Sequence, residues 1–181
     1  MISYPITKKM HDHCIGLVSG QKLNRTTFVA DGGGQYVGFI GETCFAIFLE
    51  KLNLKYSATG KEVFDYDFVV SGLTFDVKTK SANRVAKPYY HAHVSDTQKH
   101  FNCDYYVFAS VAMEDGVGVQ CDLVGWIRKS DYWNICRPMT RGQKQDQFTC
   151  PTDACQIQFS ELNSMHDLAQ NLLVHGEMRC L

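Results

Sequence analysis

An acidic residue and a lysine stand two apart at Asp76-Val77-Lys78, and upstream a second acidic residue, Asp67, precedes the apolar run Phe68-Val69-Val70. Carboxylates and an ammonium group gathered on one surface suit phosphate chemistry assisted by a divalent cation. Hard cations prefer carboxylate oxygens, and magnesium typically takes one or two of them, leaving room for water and phosphate oxygens. A bound cation activates a water and neutralises charge growing on phosphorus, while a neighbouring lysine orients that water or stabilises the same charge.

Strands must bring these residues together. Val63 to Val70 is rich in β-formers, Ser71-Gly72 is a two-residue turn signal, and Leu73 to Thr79 alternates, which predicts a hairpin. Residues two apart share a strand face, so Asp76 and Lys78 project together while Phe75, Val77 and Thr79 point to the other side. Asp67 and Asp76 are equally far from the turn, so antiparallel pairing sets their carboxylates near one another. Two like charges so placed are unfavourable unless a cation sits between them. Asp65 shares the face of Asp67 and stands as the alternative ligand; Asp67 is preferred because the apolar run follows it directly. The competing reading is a surface ion pair, worth little energetically. Asp76-Val77-Lys78 is, however, the one Asp/Glu-x-Lys tripeptide in a chain with 19 acidic residues.

Helical spacing marks the flanking elements. Ile6, Met10, Cys14, Leu17 and Val18 predict a helix over 5–19 with Gly20 as its stop, and Val37, Ile40, Cys44, Ile47, Phe48 and Leu52 predict a second over 35–52. Between them, Asp31-Gly32-Gly33-Gly34 reads as a hinge, since no Gly-Lys-Ser/Thr follows as a P-loop requires. Past the hairpin, Ser95 or Asp96 caps a short helix through His100. Strands over 105–111 and 117–127 then flank the Glu114-Asp115-Gly116 turn. Residues 137–153 read as a polar loop, 157–159 as a short strand and 160–175 as a closing helix with Gly176 as its stop.

Asp67 followed by Asp76-Val77-Lys78, after a helix opening Gly38-Phe39-Ile40-Gly41-Glu42, resembles the motif set of the PD-(D/E)XK nuclease superfamily. The resemblance implies an α/β restriction-endonuclease-like core, a mixed central β-sheet flanked by helices, over about 35–128 of a single domain 1–181, with a C-terminal extension over about 137–181. It implies Glu42, Asp67 and Asp76 as ligands of Mg2+, with Mn2+ as a substitute. It adds the Val77 carbonyl as a further ligand, Lys78 as the catalytic lysine and Gln98 as an assisting polar residue. Tyr66 stands where the family carries a proline. The activity expected is hydrolysis of phosphodiester bonds by a metal-activated water, as an endo- or exonuclease on DNA. The alternatives are an RNA-directed nuclease and an inactive nucleic-acid-binding or assembly protein of the same fold. Lys80, Arg84 and Lys87 are expected to hold the flanking backbone, and a homodimer would supply two centres for two-strand cutting.

Composition sets the frame. With 18 basic and 19 acidic residues the chain is no polycation, so contact with nucleic acid must be local, through Lys78 to Lys87 or through Arg137, Arg141 and Lys144. The longest apolar run, Cys44 to Leu49, is far short of the roughly 20 residues that span a bilayer. The N-terminus is too polar for a secretory signal, so a cytoplasmic protein without a membrane partner is expected. Its eight cysteines are accordingly read as mostly free thiols. His11, Asp12, His13 and Cys14 with Cys150 and Cys155 lack zinc-site spacing, and Cys14 with Cys136, Cys150 and Cys155 lacks regular cluster spacing. Tyr89, Tyr90, His91 and His93 suit either nucleic-acid contact or packing, and Trp126 is expected in the core.

Overall fold

The computed structural model describes residues 1–19, 33–59, 63, 65–145 and 148–177. In chain order the elements are β1 (Ile2–Pro5), α1 (Lys8–Ser19), α2 (Gly33–Lys51), β2 (Tyr56–Ala58), β3 (Phe68–Val70), β4 (Leu73–Ala82) and β5 (His91–Ser95). Then follow β6 (Tyr105–Glu114), β7 (Val117–Arg128), α3 (Lys129–Ile135), β8 (Arg137–Met139), β9 (Lys144–Gln145), β10 (Phe148–Thr149), β11 (Ala154–Gln158) and α4 (Met165–Glu177). The expected stop at Gly20, most of the glycine hinge, the strand positions Glu62 and Phe64, and Cys180 lie outside the described residues.

The architecture is mixed α/β. The main sheet has six strands in the order β1-β7-β6-β4-β3-β2. β4 runs parallel to β6 and antiparallel to β3, so the sheet is mixed. Its two faces are covered differently. Phe75, Val77, Val107, Ala109 and Leu123 form one core with α1, α2 and α4, through Cys14, Phe45 and Leu168 among others. Tyr106, Phe108 and Ile127 form a second core with Tyr132 of α3 and with a three-stranded sheet ordered β5-β11-β8. Alternation along β4 thus sends Phe75 and Val77 under the helices and turns Asp76 and Lys78 toward the Tyr106 side.

The β3–β4 hairpin forms as expected. Ser71 and Gly72 both adopt positive φ, 50° and 76°, the type I′ geometry whose twist matches antiparallel strands. β3 is nevertheless short: Phe68 pairs with Phe75, and residues 65–67 bend away from ladder geometry. Among the described residues no strand pairs with β4 beyond Phe75 on that side, and the site lies there.

Other expectations require correction. The first helix starts at Lys8 rather than at residue 5, because residues 2–5 form an edge strand against β7. Residues 91–95, to which no element was assigned from sequence, form β5, because β11 pairs with them along its length. Residues 137–153, expected as loop, carry β8, β9 and β10. α4 runs past Gly176 to Glu177. The cysteines, by contrast, are mostly free as expected: among the described residues Cys14, Cys44, Cys103, Cys121 and Cys150 are free, while Cys136 and Cys155 are joined as a disulfide. Trp126 is half-buried, packed against the main core with its indole N–H donating to the Ser164 carbonyl at 3.0 Å. Among the described residues no helix is long and apolar enough to cross a membrane.

Candidate active site

The hairpin brings Asp67 to Asp76. Extending the Phe68–Phe75 pairing by one residue places the two opposite each other, and the Asp67 N–H donates to the Phe75 carbonyl at 2.8 Å. Asp67 Oδ2 accepts the Val77 N–H at 2.7 Å, a bond that the missing continuation of β3 would otherwise supply. The N–H and C=O of a strand residue face the same neighbouring strand, so the Val77 carbonyl is directed to this same edge, past the end of β3. Behind Asp67, Thr59 N and Oγ1 donate to its carbonyl at 2.8 and 3.2 Å, which fixes the bend. It is Asp67, not Asp65, whose carboxylate meets β4.

Asp76 is 5% exposed. Lys78 Nζ lies 2.6 Å from its Oδ2, as an ion pair rather than a directed hydrogen bond. A carboxylate this buried costs free energy unless compensated, and a single lysine compensates one charge.

Glu42 arrives from the opposite face of the sheet. α2 packs on the Phe75/Val77/Thr79 side of β4, and a Cβ on Gly41 would lie 1.9 Å from Thr79 Oγ1. Only glycine permits this approach. Gly38 has open space around it, so of the two glycines in the motif only Gly41 is required by packing. The contact holds the next residue, Glu42, where its charge acts on Asp67 and Asp76 at the open edge of β4.

The electrostatics follow from this crowding. Burial, followed by the charges of Asp67 and Asp76, pushes the Glu42 carboxyl up to about 8. Burial and then Asp76 push Asp67 up to about 7, against the pull of the Val77 N–H and Lys78. Burial also raises Asp76, with Lys78 opposing. Three carboxyl groups and one lysine thus share a region that cannot hold three negative charges unaided. The donor set, carboxylates with a deficit of positive charge, fits a hard divalent cation. The side chains are not drawn up as a finished shell: among the described residues, no three His, Cys, Asp or Glu side chains converge tightly enough to hold a metal ion.

The remaining expected residues take the following places. Gln98 is half-buried in the short 3-10 turn Asp96–Gln98, after β5, where its carbonyl accepts from Phe101 N. Lys80, expected to hold a flanking backbone, is half-buried, 5.6 and 5.8 Å from the Tyr90 and Phe159 ring centroids, and donates to the His91 carbonyl at 3.2 Å. Arg84 is exposed in the loop after β4, and Lys87 Nζ lies over Tyr89. His93 bonds Gln156 across the β5–β11 pair, and Tyr90 packs against the second core. The cysteines considered for zinc or a cluster are dispersed. Cys14 lies in the main core, Cys150 beside Met139 and Ala154, and Cys136 and Cys155 in their disulfide.

Several groups around Asp76 were not assigned to this site from sequence. Tyr106 is its register partner on β6, Trp133 Nε1 donates to the Tyr106 hydroxyl at 3.2 Å, and the charge of Lys129 acts on Asp76. The local sequence around Arg128-Lys129 and Trp133 showed only a strand end with basic and aromatic residues; its place beside Asp76 comes from the β4–β6 pairing. No family model, curated protein or solved structure matches this chain.

Proposed function

We propose that the chain is a magnesium-dependent nuclease of the PD-(D/E)XK type with a restriction-endonuclease-like core, cleaving phosphodiester bonds of nucleic acid, with DNA ahead of RNA. The observation that carries this reading is the meeting of Asp67 with Asp76 across the β3–β4 hairpin, at a strand edge where Lys78 also sits and to which Glu42 is delivered by the glycine contact.

Glu42, Asp67 and Asp76 would hold the ion, with the Val77 carbonyl on the same edge. Bound there, magnesium supplies Lewis-acid activation of water and of the phosphoryl group. The chain's own groups do the rest. Asp67 is held at one carboxylate oxygen by the Val77 N–H, and its carboxyl meets that of Asp76. Lys78, freed from Asp76 once the carboxylates are neutralised, offers its ammonium to charge developing on the phosphate oxygens. Asp76 is almost fully buried, and the low local dielectric strengthens each of these interactions.

The second reading, a binding module without hydrolysis, draws on the same Lys78–Asp76 ion pair, which in a purely structural role would simply neutralise a buried charge. The deciding experiment incubates the protein with linear, circular and single-stranded DNA and with RNA, in magnesium, manganese or EDTA, beside Asp76→Ala and Lys78→Ala. Cleavage that needs the ion and is lost in both variants supports the nuclease. Cleavage that survives Asp76→Ala or ignores EDTA overturns the mechanism, and no cleavage of any substrate favours the binding module.

A further inference from the structure

Beside Asp76 the end of the main sheet opens into a cleft of about 390 Å³ lined by Lys99, Cys103, Asp104, Arg128, Lys129, Ser130 and Trp133. Three cations, Lys99, Arg128 and Lys129, outnumber its one anion, Asp104. Asp104 is already engaged, its Oδ2 accepting from Thr74 N and Thr74 Oγ1 at 2.8 Å each. Lys99 and Arg128 are exposed. Lys99 Nζ stands 5.4 Å from the Trp133 ring centroid, and the Arg128 guanidinium 5.9 Å from that of Tyr105. Lys129 is tethered to the Phe101 carbonyl and acts on Asp76 through its charge.

The cleft is mechanically continuous with the acidic cluster. Trp133 is held edge-on to Tyr132 and bonded through its indole N–H to the hydroxyl of Tyr106, which pairs with Asp76 across β4 and β6. An indole fixed in orientation, with the Lys99 ammonium at its ring and Arg128 and Lys129 lining the same cleft, is an arrangement by which proteins grip an unpaired nucleotide, with the base on the aromatic ring in place of the ammonium and the backbone on the positive charges. A base inside a duplex has both faces covered by its neighbours and cannot stack on Trp133. A single-stranded or frayed nucleotide can.

We infer that this cleft is the subsite for one unpaired nucleotide of the substrate strand, with the base stacked on Trp133 and the phosphates held by Lys99, Arg128 and Lys129, so that the substrate is single-stranded nucleic acid or a splayed end. As a substrate subsite, this inference rests on the nuclease reading. The occupant is chosen by the chemistry of the lining: a polyanion with an exposed π-face satisfies both the cations and the indole.

The test uses the full chain in EDTA, so that binding is read without cleavage, titrated with single-stranded oligothymidylate and with a duplex of equal length at several salt concentrations. The single strand should bind more tightly and quench tryptophan fluorescence. Trp133→Leu should abolish the quench and weaken binding on the order of tenfold. Lys99→Ala, on an exposed side chain whose loss leaves the fold intact, should reduce the slope of log affinity against log salt by about 0.7. Equal affinity for duplex and single strand, or an unchanged salt slope in Lys99→Ala, overturns the inference. A parallel magnesium cleavage assay separates the two conclusions. Tight, Trp133-dependent binding without cleavage defeats the nuclease and keeps the cleft as a nucleic-acid site, whereas cleavage with no role for Trp133 or Lys99 does the reverse.

Discussion

Gly41 of α2 and Thr79 of β4 meet with no room for a side chain between them: a Cβ on Gly41 would stand 1.9 Å from Thr79 Oγ1 and 3.0 Å from its Cβ and Cγ2. This contact sets how far the helix stands from the sheet. It therefore sets the reach of Glu42, the next residue, toward the carboxylates at the edge of β4.

Gly41→Ala should push α2 off β4. Overpacking of this kind costs about 1–3 kcal/mol, and nuclease activity should fall further than stability does because Glu42 moves with the helix. Gly38→Ala should do the opposite, since its surroundings are open and alanine is favoured in a helix interior by roughly 0.5–1 kcal/mol. Urea denaturation of the two variants checks the pair. Equal effects at the two positions would mean that the close approach does not constrain the helix.

The pH dependence of the ion-free protein follows from the crowded carboxyls. Glu42 rises from 4.5 to about 8 and Asp67 from 3.8 to about 7, so the folded state keeps protons that the unfolded chain has released. That stabilisation is fully present below the unfolded values and is lost as pH rises through the folded ones. His93 acts oppositely, because burial lowers it from 6.5 to about 4 and its contribution is lost as pH falls through that interval. Above about pH 6.5 the carboxyl effect therefore stands alone. In EDTA the Tm should fall between about pH 6.5 and 8, less steeply in Glu42→Gln, and added magnesium should raise the Tm by more at the upper end of that range. Scanning calorimetry with and without the ion decides this, and an ion-free Tm that climbs over the interval would contradict the charge balance described.

Lys80 and Arg84 should separate structure from binding. Lys80 is packed between Tyr90 and Phe159, and burial lowers its pKa, so Lys80→Ala should cost about 1–2 kcal/mol through lost contact of its stem while leaving the salt dependence of DNA binding unchanged. Arg84→Ala, at an exposed loop position, should leave stability within about 0.5 kcal/mol. Denaturation midpoints and salt titrations of the two variants measure both effects. A reduced salt slope in Lys80→Ala would show that the side chain leaves its packed position to meet a phosphate.

What the sequence determined by itself was whatever depends on neighbours along the chain. Positive φ at Ser71 and Gly72, period-two alternation through Leu73–Thr79 and the apolar stripe of α2 are local, so the hairpin, the shared face of Asp76 and Lys78, and the opposition of Asp67 to Asp76 were all legible. The tertiary structure decided everything that depends on pairing between distant segments. β5 exists because β11 lies beside it, Lys80 turns inward because two rings and a carbonyl are offered to it there, and Cys155 meets Cys136 because α3 ends and β8, the partner of β11, begins at that residue. Likewise, Trp133 and Lys129 stand near Asp76 only because β4 and β6 run parallel with Asp76 opposite Tyr106. A short strand has little preference of its own. Its ladder hydrogen bonds and buried faces are supplied by a partner far away in the chain, which local periodicity cannot encode.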